Sequence, residues 1–236
     1  TLRLADAGRA RIDSLTQDDT TFGIRTEDMD FVFSFLKEKK DIFDFQGFSY
    51  HASMANDEQR IAAMENQLSL TYLAIKRGFK PSVINIGGGF SISYADDARE
   101  WADYTHAIRE SILGQIPSQT WNNNGLGYRM ENGAIRGGAM YINHAPAYTK
   151  GDELDRWLSF RLPSFGNTTF ADIVRDSLLK LSIEPGRGML DQCGITIGRV
   201  AYTKFSARGE RLIGLEMNRS NIHSNHFKQL TEPMVI

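Results

Sequence analysis

Two short segments of this chain combine residue types that together suit a phosphate and a positively charged ring. The first is Gly87-Gly88-Gly89, which follows the apolar stretch Val83-Ile84-Asn85-Ile86, and the second is Glu184-Pro185-Gly186-Arg187, which follows Leu181-Ser182-Ile183. Consecutive glycines leave backbone N–H groups accessible to an anion. Arg187 can hold a phosphate through two hydrogen bonds, whereas Glu184 needs a cationic partner, which a protonated ring nitrogen on the same ligand would supply.

Each segment alone has a plainer interpretation. A triple glycine also forms ordinary tight turns, and Glu-Pro-Gly-Arg also occurs in surface turns. Their occurrence together, each directly after a short apolar strand, favours phosphate binding. His51, at the end of an aromatic stretch, is a further candidate, although a structural histidine at a strand end is the alternative. Arg3 is another candidate, and its plainer interpretation is that of a partner in an ordinary ion pair.

Alternating strands and helices must position these segments. The pattern predicts strands at 2–4, 43–53, 82–86 and 181–183, and helices at 26–40, 56–77, about 95–113 and 170–179. Strands that alternate with helices indicate parallel β/α units. The phenylalanines between positions 31 and 48 are expected to lie mostly in the core.

Two regions depart from this alternation. Residues 117–167 form a long stretch without a regular pattern, which is typical of a functional or mobile loop. After Gly194 the pattern changes to alternating strands at 195–202 and 211–215, joined by a glycine-containing turn at 207–209. We therefore expect one domain at 1–193, with an insertion at about 117–167, and the start of an antiparallel β domain at 194–236.

Composition narrows the function classes. The chain has 236 residues, of which 41% are hydrophobic, and 27 basic against 29 acidic residues give a formal charge of −2. This balance argues against nucleic acid or an anionic membrane as a partner. Cys193 is the single cysteine, so a disulfide within the chain is ruled out and a cytoplasmic location is favoured. We expect Cys193 itself to be a small buried residue. The histidines 144, 223 and 226 lack metal-ligand spacing, so no metal is expected.

The order of these motifs resembles the pyridoxal-phosphate-dependent decarboxylases of the alanine-racemase-like fold (fold-type III), such as diaminopimelate and ornithine decarboxylases. The segments that carry the resemblance are Leu2-Arg3-Leu4-Ala5, Phe48-Ser49-Tyr50-His51-Ala52-Ser53, Asn85-Ile86-Gly87-Gly88-Gly89-Phe90, Glu184-Pro185-Gly186-Arg187 and Gly198-Arg199-Val200. The resemblance implies an α/β fold, namely strands five to eight of a (β/α)8 TIM-type barrel followed by part of a C-terminal antiparallel β domain. It also implies a homodimer that uses pyridoxal 5'-phosphate.

The same resemblance assigns roles to individual residues. It implies that Glu184 pairs with the pyridine nitrogen, that His51 stacks on the ring, and that Arg3 lies near the phenolic oxygen. The residues implied to hold the phosphate are Gly87, Gly88, Gly89, Gly186 and Arg187. Ser53 is a further phosphate candidate, although the family has His-x-Gly-Ser and this chain has one residue fewer between histidine and serine.

Glu184 determines which reaction the resemblance favours. A carboxylate beside the ring nitrogen favours its protonated form. A pyridinium stabilises the carbanion that remains when carbon dioxide leaves the α-carbon of an amino acid. The expected activity is therefore decarboxylation of an amino acid. The alternatives are a racemase or D-amino-acid lyase on the same fold, and a non-catalytic relative that binds a partner.

Two features of the family are not matched. No segment fits the Tyr-x-x-Lys-x-Asn setting of its Schiff-base lysine, because Tyr148-Thr149-Lys150 and Tyr202-Thr203-Lys204 have the wrong spacing and context. Half a barrel also leaves two open edges, so we expect a longer polypeptide or a companion chain to complete it.

The substrate site differs as well. His223 and Phe227 occupy the positions at which diaminopimelate decarboxylases have an arginine and a tyrosine, and losing that carboxylate clamp argues against diaminopimelate. We further expect the insertion at 117–167 to cover the mouth of the pocket.

Overall fold

The computed structural model describes residues 1–5, 22–51, 56–93, 97–138, 145–191 and 193–218. They contain the strands β1 (Leu2–Arg3), β2 (Gly47–Ser49), β3 (Val83–Asn85), β4 (Tyr128–Glu131), β5 (Ala134–Gly137), β6 (Arg161–Leu162), β7 (Thr168–Thr169), β8 (Lys180–Ser182), β9 (Val200–Phe205) and β10 (Arg211–Leu215). The helices are α1 (Met29–Glu38), α2 (Asp57–Lys76), α3 (Ala98–Ile112), α4 (Lys150–Leu158) and α5 (Phe170–Asp176).

The chain forms two compact units. The first contains residues 1–92 and 148–189, and the second contains residues 93–147 and 190–236. The first unit holds the sheet β1-β2-β3-β8, in which every neighbouring pair is parallel. The predicted parallel β/α arrangement is therefore confirmed for these strands.

The two faces of this parallel sheet differ in character. Phe48, Ile84 and Ile86 are fully buried and belong to the apolar clusters that contain residues of α2, such as Leu68. Because side chains alternate along a strand, the residues between them face the other side. The register brings four such residues side by side across the sheet, namely Arg3, Ser49, Asn85 and Ser182. One face thus forms the helix-covered core, and the other carries a polar row.

Helix α2 begins where the sequence indicates. The side chain of Asn56 accepts a hydrogen bond from the Gln59 N–H at 2.8 Å, and the Gln59 side chain accepts one from the Asn56 N–H at 3.0 Å. This reciprocal cap satisfies two N–H groups that the first helical turn leaves without partners. The cap fixes the start of the helix that covers β2 and β3.

Tyr50 provides a test of this core. Its side chain is 1% exposed, and burial raises the pKa of the hydroxyl from its usual 10.0 to about 12, although the Arg60 guanidinium opposes the shift. The unfolded chain therefore loses this proton near pH 10, whereas the folded protein keeps it until near pH 12. We expect the free energy of unfolding of the full-length protein to fall by about 3 kcal/mol across this range because of Tyr50.

Urea titrations between pH 8 and 12 would measure this effect. Tyr50→Phe should remove that part of the decline, whereas Tyr148→Phe, at an exposed tyrosine of the same unit, should retain it. Equal declines in both variants would contradict the assignment to Tyr50.

The second unit is built from antiparallel pairs and one longer helix. Strands β4 and β5 form one hairpin, and β9 and β10 form another, whose turn contains Gly209. Ile108 of α3 is fully buried and packs with Leu126, Trp101 and Tyr128 in a small apolar cluster. Two antiparallel strands after Gly194, as predicted, are confirmed by β9 and β10, but the first begins at Val200 rather than at residue 195 and extends to Phe205.

Some expectations from the sequence are wrong. The stretch 117–167 is not irregular throughout, because it contains the β4–β5 hairpin and helix α4. Three of the phenylalanines assigned to the core are exposed, namely Phe31 by 73%, Phe35 by 41% and Phe43 by 49%. Cys193 is exposed as well. The expected pairing of the other barrel strands, the domain boundary at 193 and the position of the insertion over a pocket stay predictions.

None of the helices in the described part of the chain combines the length and the apolar character that a membrane crossing requires.

Candidate functional site

The two motifs predicted to hold a phosphate meet at the carboxyl ends of neighbouring strands. The triple glycine follows β3 and Glu184 follows β8, and these strands pair directly. The backbone N–H of Glu184 donates to the carbonyl of Gly87 at 2.8 Å. The sheet thus joins two segments that are far apart in sequence through one backbone hydrogen bond.

The carboxylate of Glu184 has one partner at the end of β3 and another just after β2. Its Oε1 accepts a hydrogen bond from Asn85 Nδ2 at 3.0 Å, and its Oε2 lies 3.2 Å from Nδ1 of His51. The Glu184 side chain is 50% exposed and that of His51 is 35% exposed. The acid is therefore oriented from two sides and still open to a ligand, which is the arrangement that pairing with a cationic ring requires.

Asn85 is a site residue that sequence reasoning missed as a functional group. Besides donating to Glu184, its side chain accepts the Gly87 N–H at 2.8 Å, so one amide contacts both motifs. Gln67 of α2, which is fully buried, donates to the carbonyls of Phe48 and Asn85 at 2.8 and 2.9 Å. The signal available in the sequence was a polar residue inside the apolar stretch Val83-Ile84-Asn85-Ile86, directly before the glycine turn.

The glycine turn has no room for larger side chains. At Gly87 the φ angle is +68°, and a Cβ there would lie 2.1 Å from the Tyr50 carbonyl oxygen. At Gly88 a Cβ would lie 2.6 Å from the carbonyl oxygen of Glu184 and 3.0 Å from Cε1 of His51. The close contact between the two motifs therefore depends on glycine.

The turn also offers hydrogen-bond donors. Within the part of the chain that the structure describes, the N–H groups of Gly88, Gly89 and Phe90 donate to no protein acceptor. Backbone N–H groups in or near a protein interior are almost always paired, so three successive donors suit an anion. Gly186 and Arg187 lie in a short 3₁₀ helix, Gly186–Met189, immediately after Glu184.

The remaining predicted residues are less closely associated with this site. Arg3 lies on β1, at the far side of β2 from β3, and its guanidinium lies 5.4 Å from the ring centre of Phe22. Ser53, His223 and Phe227 lie outside the described residues. No cluster of three or more histidine, cysteine or acidic residues with a metal-binding arrangement occurs within the described ranges.

Comparison with known proteins yields one family. Residues 2–124 match the family model described as pyridoxal-dependent decarboxylase, pyridoxal binding domain. The matched part includes β1, β2, β3, His51 and the glycine turn, whereas Glu184 and Arg187 lie beyond it.

Individual relatives are distant. The uncharacterized protein y4yA of Sinorhizobium fredii (strain NBRC 101917 / NGR234) is 28% identical over 173 residues, which cover 73% of this chain and 33% of that protein. The chain therefore spans about a third of the length of this relative. Among solved structures, the arginine decarboxylase of Paramecium bursaria Chlorella virus matches with 15% identity and a TM-score of 0.42, covering 87% of this chain and 39% of that chain. Its agmatine-bound form matches with 13% identity and a TM-score of 0.39, covering 87% and 38%.

Proposed function

The chain belongs to the pyridoxal-dependent decarboxylase family, of which it carries the pyridoxal binding domain, and we propose that it forms part of an enzyme that decarboxylates an amino acid. The observation that carries the proposal is the joining of the two motifs around Glu184. Its carboxylate is held by Asn85 and His51, and its backbone N–H is bonded to the glycine turn. A phosphate site and a site for a cationic ring are thereby combined in one place.

The described residues fit pyridoxal 5'-phosphate. The turn leaves three N–H donors for a phosphate, and the space beside Gly88 that a Cβ would fill is bounded by Glu184 and His51. We assign phosphate binding to Gly88, Gly89, Gly186 and Arg187, since backbone donors and a guanidinium recognise phosphate oxygens. Gly87, whose N–H donates to Asn85, would contribute to the phosphate site by shaping the turn. Arg3 and Ser53 remain proposed contacts.

Each residue has a separate task in this mechanism. When bound, the cofactor supplies an electron-accepting ring, which stabilises the negative charge left on the α-carbon after carbon dioxide departs. Glu184 keeps a proton on the ring nitrogen because its negative charge favours the cationic form. Asn85 orients the Glu184 carboxylate through the bond to Oε1. His51, next to the same acid, limits how the ring can lie.

The negative charge of Glu184 supports decarboxylation over racemisation. Keeping the ring protonated strengthens its ability to accept electrons, and loss of carbon dioxide requires a strong acceptor. The proposal also includes the strands of a (β/α)8 barrel, a homodimer, a cytoplasmic location and an amino-acid substrate of unspecified side chain. Because no segment of this sequence fits the setting of the family's Schiff-base lysine, we expect that lysine to lie outside these 236 residues.

Release of carbon dioxide from single amino acids tests the proposal. The full-length protein, incubated with pyridoxal 5'-phosphate, should release carbon dioxide and the matching amine from one or a few members of a panel of L- and D-amino acids. The panel should include arginine, ornithine, lysine and diaminopimelate. Interconversion of enantiomers without gas release would indicate the racemase alternative. A bound cofactor that borohydride reduces, with no turnover of any substrate, would indicate a binding protein.

A further inference from the structure

Arg60 is a buried charged residue directly behind the glycine turn. It lies in the first turn of α2, and its side chain is 2% exposed. Its Nη2 donates to the carbonyl of Gly88 at 3.3 Å, and its guanidinium carbon lies 3.6 Å from the ring centre of Trp157 in α4. A guanidinium is thus held between an aromatic face and the middle residue of the turn.

The bond to Gly88 determines the direction of the next N–H group. In a trans peptide the carbonyl and the N–H point in opposite directions, and the described residues contain no cis peptide bond. Because Arg60 draws the Gly88 carbonyl toward α2, the Gly89 N–H of the same peptide must point away from α2. That N–H is one of the three donors without a protein acceptor among the described residues.

Neighbouring contacts hold the rest of the turn in a similar manner. The Gly87 carbonyl accepts the Glu184 N–H at 2.8 Å, which directs the Gly88 N–H away from β8. At the end of the turn, the Ser91 N–H donates to Oε2 of Glu153 in α4 at 2.7 Å. The carbonyls of Gly87 and Gly88 are therefore tied to the protein, while the intervening N–H groups stay available.

Trp157 is suited to keep Arg60 in place. The tryptophan is 1% exposed and lies 4.5 Å from the ring of Phe90, the residue that ends the turn. A desolvated guanidinium over an indole face is stabilised by cation–π attraction. Burial of a cation is costly, so an apolar residue would serve better if this position needed only packing.

We propose that Arg60 is a positioning residue for the phosphate of the cofactor, acting through the Gly88–Gly89 peptide and held by Trp157. The inference rests on the proposed function, because it names a support for the same phosphate site. The charge of Arg60 also polarises the peptide it contacts, and this strengthens the Gly89 N–H as a donor.

Binding measurements on the full-length protein separate this role from a general structural one. Dissociation constants are measured for pyridoxal 5'-phosphate and for pyridoxal, which lacks the phosphate. In Arg60→Met the constant for pyridoxal 5'-phosphate should rise about tenfold or more, whereas that for pyridoxal should change by less than about twofold. Arg60→Lys, which keeps the charge without the planar fork, should give an intermediate value.

A matched control exists at the C-terminal end of the same helix. Arg77 follows α2, and its guanidinium lies 5.6 Å from the ring centre of Phe33, with an ion pair to Asp30. Arg77→Met should leave the preference for the phosphorylated ligand unchanged. Trp157→Phe, which keeps an aromatic face, should weaken that preference less than Arg60→Met does, and it provides a second test if Arg60→Met fails to fold.

Two kinds of result overturn the proposal: Arg60 variants that keep the preference for the phosphorylated ligand, and a wild-type protein without that preference. Equal losses for both ligands in Arg60→Met and Arg60→Lys would show a structural role only, and unchanged binding in these variants would show no role. If the wild-type protein shows no preference for the phosphorylated ligand, the proposed function fails together with this inference. A wild-type preference that the Arg60 variants retain would overturn the Arg60 inference alone.

Discussion

Replacing Glu184 with glutamine is expected to lower the rate of carbon dioxide release by about 10²- to 10³-fold. The substitution keeps the size of the side chain and its ability to accept from Asn85 Nδ2, but it removes the negative charge. Without that charge the ring nitrogen is no longer held in its cationic form. Binding of pyridoxal 5'-phosphate should weaken much less than the rate, because the phosphate donors of the glycine turn are unchanged.

The matched control is Glu58→Gln in α2, where an exposed glutamate undergoes the same change. It should leave both rate and affinity unaltered. A cofactor analogue with a methyl group on the ring nitrogen, whose charge does not depend on a proton, should restore part of the rate in Glu184→Gln. A variant with wild-type turnover, or one that the analogue fails to improve, would argue against this role for Glu184.

Gly88→Ala is expected to weaken binding of pyridoxal 5'-phosphate strongly. The new methyl group would meet the Glu184 carbonyl oxygen at 2.6 Å and Cε1 of His51 at 3.0 Å, so the two motifs would have to separate. Overpacking of this kind costs about 1–3 kcal/mol, which corresponds to roughly a 5- to 150-fold rise in the dissociation constant if binding requires the original geometry. Titration followed by cofactor absorbance would measure it.

Gly151→Ala serves as the comparison for this substitution. Gly151 lies in α4 without a positive φ, and apart from its chain neighbours and the nearby backbone of the same helix, no heavy atom lies within 4 Å of the position that an alanine Cβ would take there. Alanine is preferred over glycine in a helix by up to about 1 kcal/mol, so this variant should be as stable as the wild type or more so. If Gly88→Ala bound the cofactor as well as Gly151→Ala does, the turn could not be the phosphate site.

Sequence patterns located the two motifs because strand periodicity and glycine content are local properties. A parallel sheet places the carboxyl ends of its strands at one edge, so the expectation that the glycine turn and Glu184 lie together followed from the alternation of strands and helices. The structure brings them to adjacent strands, with Gly87 and Glu184 in direct backbone contact. The proposed roles of the individual site residues stay predictions.

The supporting contacts could not be predicted in the same way. Arg60 falls on the helical stripe that also contains Ala63, Met64 and Leu68, and an arginine at such a position was the available signal. Its partner Trp157 lies in the stretch that was expected to be irregular. Contacts of this kind depend on tertiary packing between distant segments, which spacing within one helix does not reveal.

The exposed phenylalanines also show that residue type alone does not determine which side chains are buried. Aromatic content indicated core positions, yet Phe31 and Phe35 stack on each other at 6.5 Å between ring centres while remaining exposed, because Phe33 and Leu36 occupy the buried side of α1. Three aromatic residues in alternate positions cannot all face the same side of a helix.

The hydrogen bond between Gly87 and Glu184 makes the site tolerant of change in a large part of the chain that separates them. Once β3 and β8 are paired, the connecting segment has two parts: α4 contributes Glu153 and Trp157 to the support of the turn, whereas residues 93–147 belong to the second unit and can change in length. Because the entropy of closing a loop rises slowly, each doubling of its length costs only about 0.6 kcal/mol. Evolution could therefore lengthen, shorten or exchange residues 93–147 and vary what the protein recognises, while the spacing between the acid and the glycine backbone stays constant.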